Sequence, residues 1–585
     1  MNRAWSLMAA VAALLLASCG GGSSPPPAVA VSVSPASVTL APSASQIFKA
    51  SVTNTSNPTV TWQVNNIPGG NSKLGTVDSF GVYVAPATEP SPPTVNVRAI
   101  SQADPSKAGN ALVTIGQPAG AANQQAQGFP IKLGTSGGDS LDTTTSGNTV
   151  TCCSGTLGSL VQRGSTFYIL SNNHVLARSD QGKKGVDPIT QPGLVDTNCT
   201  PGTTVATLTD FVSLPQGGTS TAPKTGTVDA AIAQIVSSAA VDTSGSILEL
   251  GTASSTPNVP NPAPPASTIE TTPVPGTTRV AKAGRSSGLT CSTISSVNTA
   301  VDIDYSTSCS GGTSFTVEYN NQIVIGGGSF SAAGDSGSLV VDATTAQPVG
   351  LLYGGDNTST VANPIGAVLN AFSGGPLTIV GGAPHAVVCP KPATAAPAAV
   401  QATAPLAATE VAHAADVSNR HATRLMANPA VAGIAVGRSQ DAADSAAIVI
   451  YVKSIPEPGA LPAELEGVRT KIVPVSEAQA RSTSASAPAV TAVSEQEVAR
   501  VSAVKEQWAQ RLLRENPAVF GVGVGASEDS PGEAAVSVFV DKDMSYTPPP
   551  VLDGARIRVV RADRFRAWGW NEHQQPRSCS ASKKR

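Results

Sequence analysis

Charge is what this chain lacks most. Lys, Arg, Asp and Glu make up 13% of its residues, about half the ~25% usual in globular proteins. A net charge of only −3 does nothing to recommend a polyanion, so no nucleic-acid partner is expected. Histidine is scarce too. The five present include no His-Glu-x-x-His pair and no cluster of other ligands, which disfavours metal-assisted hydrolysis. Beyond the first twenty residues no apolar run approaches the ~20 residues that span a bilayer. Gly, Ala, Ser, Thr and Pro are abundant instead, and 585 residues exceed what one hydrophobic core serves, which predicts about three to five domains.

The first residues set an expected compartment. Arg3 precedes an apolar stretch from Leu7 to Ala17, followed by Leu16-Ala17-Ser18-Cys19. This resembles a bacterial lipoprotein signal, which implies removal of residues 1–18, lipid attachment at Cys19 and residence in the cell envelope, with the membrane contacted through the anchor only. Residues 19–30 then read as a Gly/Ser/Pro tether. Seven cysteines follow Cys19, and in an oxidising compartment they predict disulfides. Cys291 and Cys309 are placed to staple a hairpin, Cys199 to pair with Cys152 or Cys153, and parity leaves Cys579 over.

The expected architecture is multidomain and mainly β. Residues 31–117 are short alternating runs separated by Pro, Asn, Ser and Gly, such as Val60-Thr61-Trp62-Gln63-Val64, the pattern of a β-sandwich. With Trp62 read as core and Gly81-Val82-Tyr83-Val84 further on, this segment resembles an Ig-like module of surface proteins. After a polar stretch read as a linker, residues 128–388 are strand-and-turn text of a length that suits a pair of β-barrels. An Ala/Pro linker covers 389–410. The remainder repeats itself: Asn428-Pro429-Ala430-Val431 recurs as Asn516-Pro517-Ala518-Val519, displaced by 88, with Gly433 and Gly437 recurring as Gly521 and Gly525. Residues 411–475 and 498–562 are therefore two copies of a small α+β unit, joined by a linker at 476–497 and followed by a polar tail at 563–585.

One constellation carries chemistry. Gly334-Asp335-Ser336-Gly337-Ser338 lies between β-like runs, and its glycines permit the sharp turn that exposes a nucleophilic hydroxyl while aiming the Gly334 and Ser336 amides at one developing oxyanion. Gly138-Asp139-Ser140 shares three letters but continues with Leu141. Serine needs a base. Of the five histidines only His174 lies in a structured part of the β-rich block, after a hairpin and in the phrase Ser171-Asn172-Asn173-His174-Val175. Asp229, a carboxylate in the otherwise apolar Val228-Asp229-Ala230-Ala231-Ile232, must have a partner if buried and is read as the group that orients the imidazole.

These three phrases, in the order His, Asp, Ser over one block of roughly 250 residues, resemble a bacterial trypsin-like serine peptidase. Val280-Ala281-Lys282-Ala283-Gly284-Arg285 is similar to the opening of that family's second barrel, and Gly350-Leu351-Leu352-Tyr353-Gly354-Gly355 to the strand beside its substrate pocket. The resemblance implies a chymotrypsin-like double β-barrel, no cofactor, and acyl-enzyme hydrolysis of a protein or peptide substrate by His174, Asp229 and Ser336. No Ile-Val-Gly-Gly type terminus precedes Gly128, which argues against activation by a freshly cut amine. The alternative class is a surface binding or adhesion protein with an inactive or latent barrel. An α/β-hydrolase esterase would need His after Ser and does not fit. Substrate, cleavage preference and oligomeric state are not legible.

Overall fold

The computed structural model describes residues 28–40, 45–79, 81–86, 90, 94–115, 121–146, 149–252, 254–256, 259–309, 312–389, 406–474, 492–567 and 579–580. The expected signal segment and Cys19 lie outside them. The molecule is mainly β, 45% strand and 12% helix, and divides into two compact units, residues 1–118 and 119–585.

In the first unit a five-stranded sheet runs in the order Ser37–Leu40, Ala108–Ile115, Thr94–Ser101, Val60–Val64 and Ile67–Pro68. Alternate residues of Thr94–Ser101 are buried, as a strand with one covered face requires. Phe48, Trp62, Val64, Tyr83, Val97 and Val113 form the core. Gly81, at φ 82°, lies so close to Trp62 that a Cβ would approach the indole to 2.9 Å.

The second unit contains two larger sheets. The first has eight strands, in which Ala231–Ile235 lies between Thr203–Phe211 and Thr166–Ser171. In the second, the pairings of six strands close on themselves. Arg279–Gly284 pairs with Gly288–Ser306, which pairs with Ser314–Gly326, then Ser359–Pro364, Pro348–Gly355 and Leu339–Asp342, and so back to Arg279–Gly284. Ile131, Leu160, Ile169, Ile232, Leu339 and Leu351 belong to one apolar cluster, so the two sheets share a core. Residues 121–127 are not a free linker, because Asn123 is fully buried and donates to the Gly134 carbonyl at 2.9 Å.

Both C-terminal repeats have the same order: a helix, an antiparallel strand pair, and a third strand parallel to the second. The second helix, Glu495–Glu515, starts at a Ser494 cap that accepts from the Glu497 amide, carries Glu495 and Glu497 in its first turn and Arg514 in its last, and buries Val501, Val504, Leu512 and Leu513, matching cap, dipole and core-facing stripe. The repeats clasp each other through reciprocal contacts. Asp441 accepts from Ser527 Oγ and the Glu528 amide, both at 2.6 Å, while Asp529 accepts from Ser439 Oγ and the Gln440 amide. Arg469 donates to the Ile557 carbonyl and Arg556 to the Thr470 carbonyl, each at 2.6 Å.

Only the second repeat joins the closed sheet. Its strand Val519–Ala526 pairs with Gly288–Ser306. Gly523 makes this possible, since a Cβ there would stand 2.3 Å from both Ser296 and Thr299 hydroxyls. Ala435 occupies the matching position of the first repeat, whose four strands form a separate sheet.

Candidate active site

The Thr166–Ser171 strand ends in three polar residues with separate duties. Ser171 Oγ donates to the Thr156 carbonyl at 2.7 Å, and Asn172 Nδ2 to the Asp229 carbonyl at 2.8 Å. The Asn173 amide donates to Asp229 Oδ1 at 2.8 Å. His174 follows in the first turn of the short helix Asn173–Leu176. Asp229 is not inside a strand, as its apolar neighbours had implied; it stands just ahead of Ala231–Ile235. There its amide donates to Asn363 Oδ1 at 3.2 Å and its carboxylate is free to face the imidazole.

His174 Nδ1 lies 2.6 Å from Asp229 Oδ2, with the carboxylate fully buried. Tyr305 donates its hydroxyl to the same oxygen at 3.0 Å and stands 2.9 Å from the Tyr319 hydroxyl. Burial, together with the Asp229 charge, raises both phenols well above their ordinary range, so they stay protonated. With Nδ1 held by a carboxylate, Nε2 is the atom left to exchange a proton. It is buried and without a hydrogen-bond partner among the described residues.

Ser336 is in the turn between Ser314–Gly326 and Leu339–Asp342. Gly334 and Gly337 have φ of 94° and 91°, and a Cβ at Gly337 would fall 2.0 Å from Ser171 Oγ. Neither position tolerates a side chain. The Thr156 amide donates to the Ser336 carbonyl at 2.8 Å, and Thr156 Oγ1 to the Gly334 carbonyl at 2.9 Å. The strand residues around Ser171 and the Ser336 turn are thus tied through Thr156. The Gly334 and Ser336 amides have no acceptor among the described residues. Ser336 Oγ does not meet His174; it donates to the Tyr353 carbonyl at 3.4 Å and is fully buried.

Behind the turn, Asp335 is matched by Lys282, whose role its motif does not reveal. Lys282 Nζ is 3.2 Å from Asp335 Oδ2, both side chains unexposed. The available signal was a charged residue inside the apolar run Val280 to Ala283, because a buried lysine requires a partner. The decoy serine sequence is structural: Asp139 binds Arg178 Nε at 2.8 Å.

The disulfides are Cys152–Cys199, Cys153–Cys309 and Cys291–Cys389. The expected Cys291–Cys309 staple is not formed. Cys291 lies near the start of the strand Gly288–Ser306 and Cys309 just past its end, so the extended chain between them, at ~3.3 Å per residue, carries them beyond disulfide reach. Asp142, Cys153 and Cys309 converge beside the site, but the two sulfurs are bonded to each other and offer no thiolate to a metal.

No protein-family model matches the chain, and no curated protein is found to be similar to it.

Proposed function

We propose that this chain is a serine endopeptidase of the chymotrypsin-like type, working outside the cytoplasm and held at the cell envelope through lipid on Cys19. The observation that carries the reading is the 2.6 Å contact between His174 Nδ1 and the buried Asp229 carboxylate, beside a Gly-Asp-Ser-Gly turn with two amides that have no acceptor among the described residues. The closed six-stranded sheet packed on a second sheet supports the double-barrel assignment, and the sandwich-like first unit supports an Ig-like module. Three disulfides fit an oxidising compartment, and no helix among the described residues is long and apolar enough to cross a membrane.

In the proposed reaction Ser336 Oγ rotates from the Tyr353 carbonyl toward His174, gives its proton to Nε2 and attacks a peptide carbonyl. The tetrahedral oxyanion is received by the Gly334 and Ser336 amides. The imidazolium, stabilised by Asp229, returns the proton to the leaving amine. Water then repeats the sequence on the acyl-enzyme and releases the acid.

The test is prolonged exposure of the protein lacking residues 1–19 to a fluorophosphonate probe, beside Ser336→Ala. A covalent adduct on Ser336 that is absent from the variant is expected. No adduct on the folded protein, nor on the opened forms described next, would overturn the reading.

A further inference from the structure

The edge of Pro348–Gly355 next to Ser336 is already occupied. Tyr353, whose carbonyl holds Ser336 Oγ, is followed by Gly354 and Gly355, and these pair antiparallel with Ala567 and Arg566. A peptide that binds by strand addition needs free backbone groups on a sheet edge, and here the chain supplies that strand itself. Gly354 shapes the fit: a Cβ there would stand 2.5 Å from the Arg566 carbonyl oxygen. Ala567 lines the same cavity as His174, Tyr305, Cys153 and Cys309. The space beside them, about 30 Å³, has room for water. The nucleophile and its carboxylate are fully covered.

The segment is held just upstream of the contact. Phe565 is fully buried with ring centroids 5.1 Å from Phe520 and 5.5 Å from Phe539. The Asp304 amide donates to its carbonyl at 3.0 Å, and the Asp563 amide donates to Asp356 Oδ2 at 3.1 Å. Asp304 also pairs with Arg566. The second repeat, which docks on the closed sheet through Gly523, therefore delivers Arg566–Ala567 to the site.

We propose that Arg566–Ala567 is a built-in, substrate-like occupant of the peptide-binding edge, which keeps Ser336 and His174 covered until the segment is displaced or removed. The proposal rests on the hydrolytic reading of Ser336. It also defines the substrate class: an extended peptide running antiparallel to Gly354 and Gly355, with a small residue beside His174, as Ala567 is.

Two variants leave Phe565 in place. One ends the chain at Phe565; the other is full-length Arg566→Pro, which removes a backbone donor and disfavours strand pairing. Circular dichroism establishes that each is folded. Fluorophosphonate labelling of Ser336 is expected to be at least tenfold faster in both than in the full chain, and amide exchange at Gly354 and Gly355 at least tenfold faster as well. Equal labelling of all three, or exchange unchanged in both variants, would overturn the proposal. Faster exchange with no labelling in any form would uphold the occupant and defeat the hydrolytic reading, so the two failures are told apart.

Discussion

Lys282 Nζ lies 3.2 Å from Asp335 Oδ2, and neither side chain is exposed. Asp335 Oδ1 also accepts from the Ser286 amide at 2.8 Å, and Oδ2 from the Ala332 amide at 3.0 Å. The carboxylate one residue before Ser336 is thereby fixed from several sides, and the ammonium that balances it is permanently part of the chain. Burial lowers the Lys282 pKa while Asp335 opposes that shift.

Removing the ammonium leaves a buried carboxylate uncompensated. Lys282→Met is expected to cost about 3–5 kcal/mol of stability, measured by denaturant unfolding, and to abolish Ser336 labelling under conditions where the variant is still folded. Retained labelling would show that the Lys282 pair does not hold the turn.

Asp229→Asn keeps the shape of the site but changes which imidazole nitrogen carries the proton. On the proposed hydrolytic reading, turnover by the form that ends at Phe565 is expected to fall about 10⁴-fold, the cost of the same change in a Ser-His-Asp peptidase, with little change in the circular dichroism spectrum. Tyr305→Phe removes one donor to the same carboxylate oxygen and is expected to cost about 1.5–3 kcal/mol of stability, as for a hydrogen bond to a charged group.

Asp142 makes stability depend on pH. Burial, reinforced by the Asp139 charge and opposed by Arg178, pushes its carboxyl up to about 7. From about pH 4 to 7 the folded chain holds a proton that the unfolded chain has released, so this contribution is complete at low pH and lost as pH rises through 7. Asp142→Asn is expected to melt higher than wild type at pH 8 and close to it at pH 4. An equal difference at both pH values would contradict this.

The Cys291–Cys389 bridge spans 98 residues of sequence. Replacing either cysteine by serine is expected to destabilise the protein by about 2–5 kcal/mol, since a long closed loop restricts the unfolded chain strongly. Unfolding in denaturant with and without reductant checks it.

Much of this was written locally. A strand with one covered face must alternate, as Thr94–Ser101 does, and a turn packed against neighbouring backbone must be glycine, as Gly334 and Gly337 are. The 88-residue offset marked the repeats because each copy satisfies the same internal core. Ser336 stood out by its glycine-flanked turn, His174 as the one histidine in a structured part of the β-rich block, and Asp229 because a carboxylate among apolar residues needs a partner.

What only the tertiary structure decided are relations between distant segments. Disulfide partners follow from where strands end in space, which is why Cys309 meets Cys153 and not Cys291. Lys282 acquires meaning only when the closed sheet brings it to Asp335. The reciprocal clasp of Asp441 and Asp529 exists only where the two repeats meet, and the arrival of Arg566–Ala567 at Gly354 and Gly355 follows the docking of the second repeat on the closed sheet, where it has a glycine and the first repeat an alanine. Pattern in a sequence reports the environment each residue needs, whereas the identity of the neighbour that meets the need is set by packing across the whole second unit.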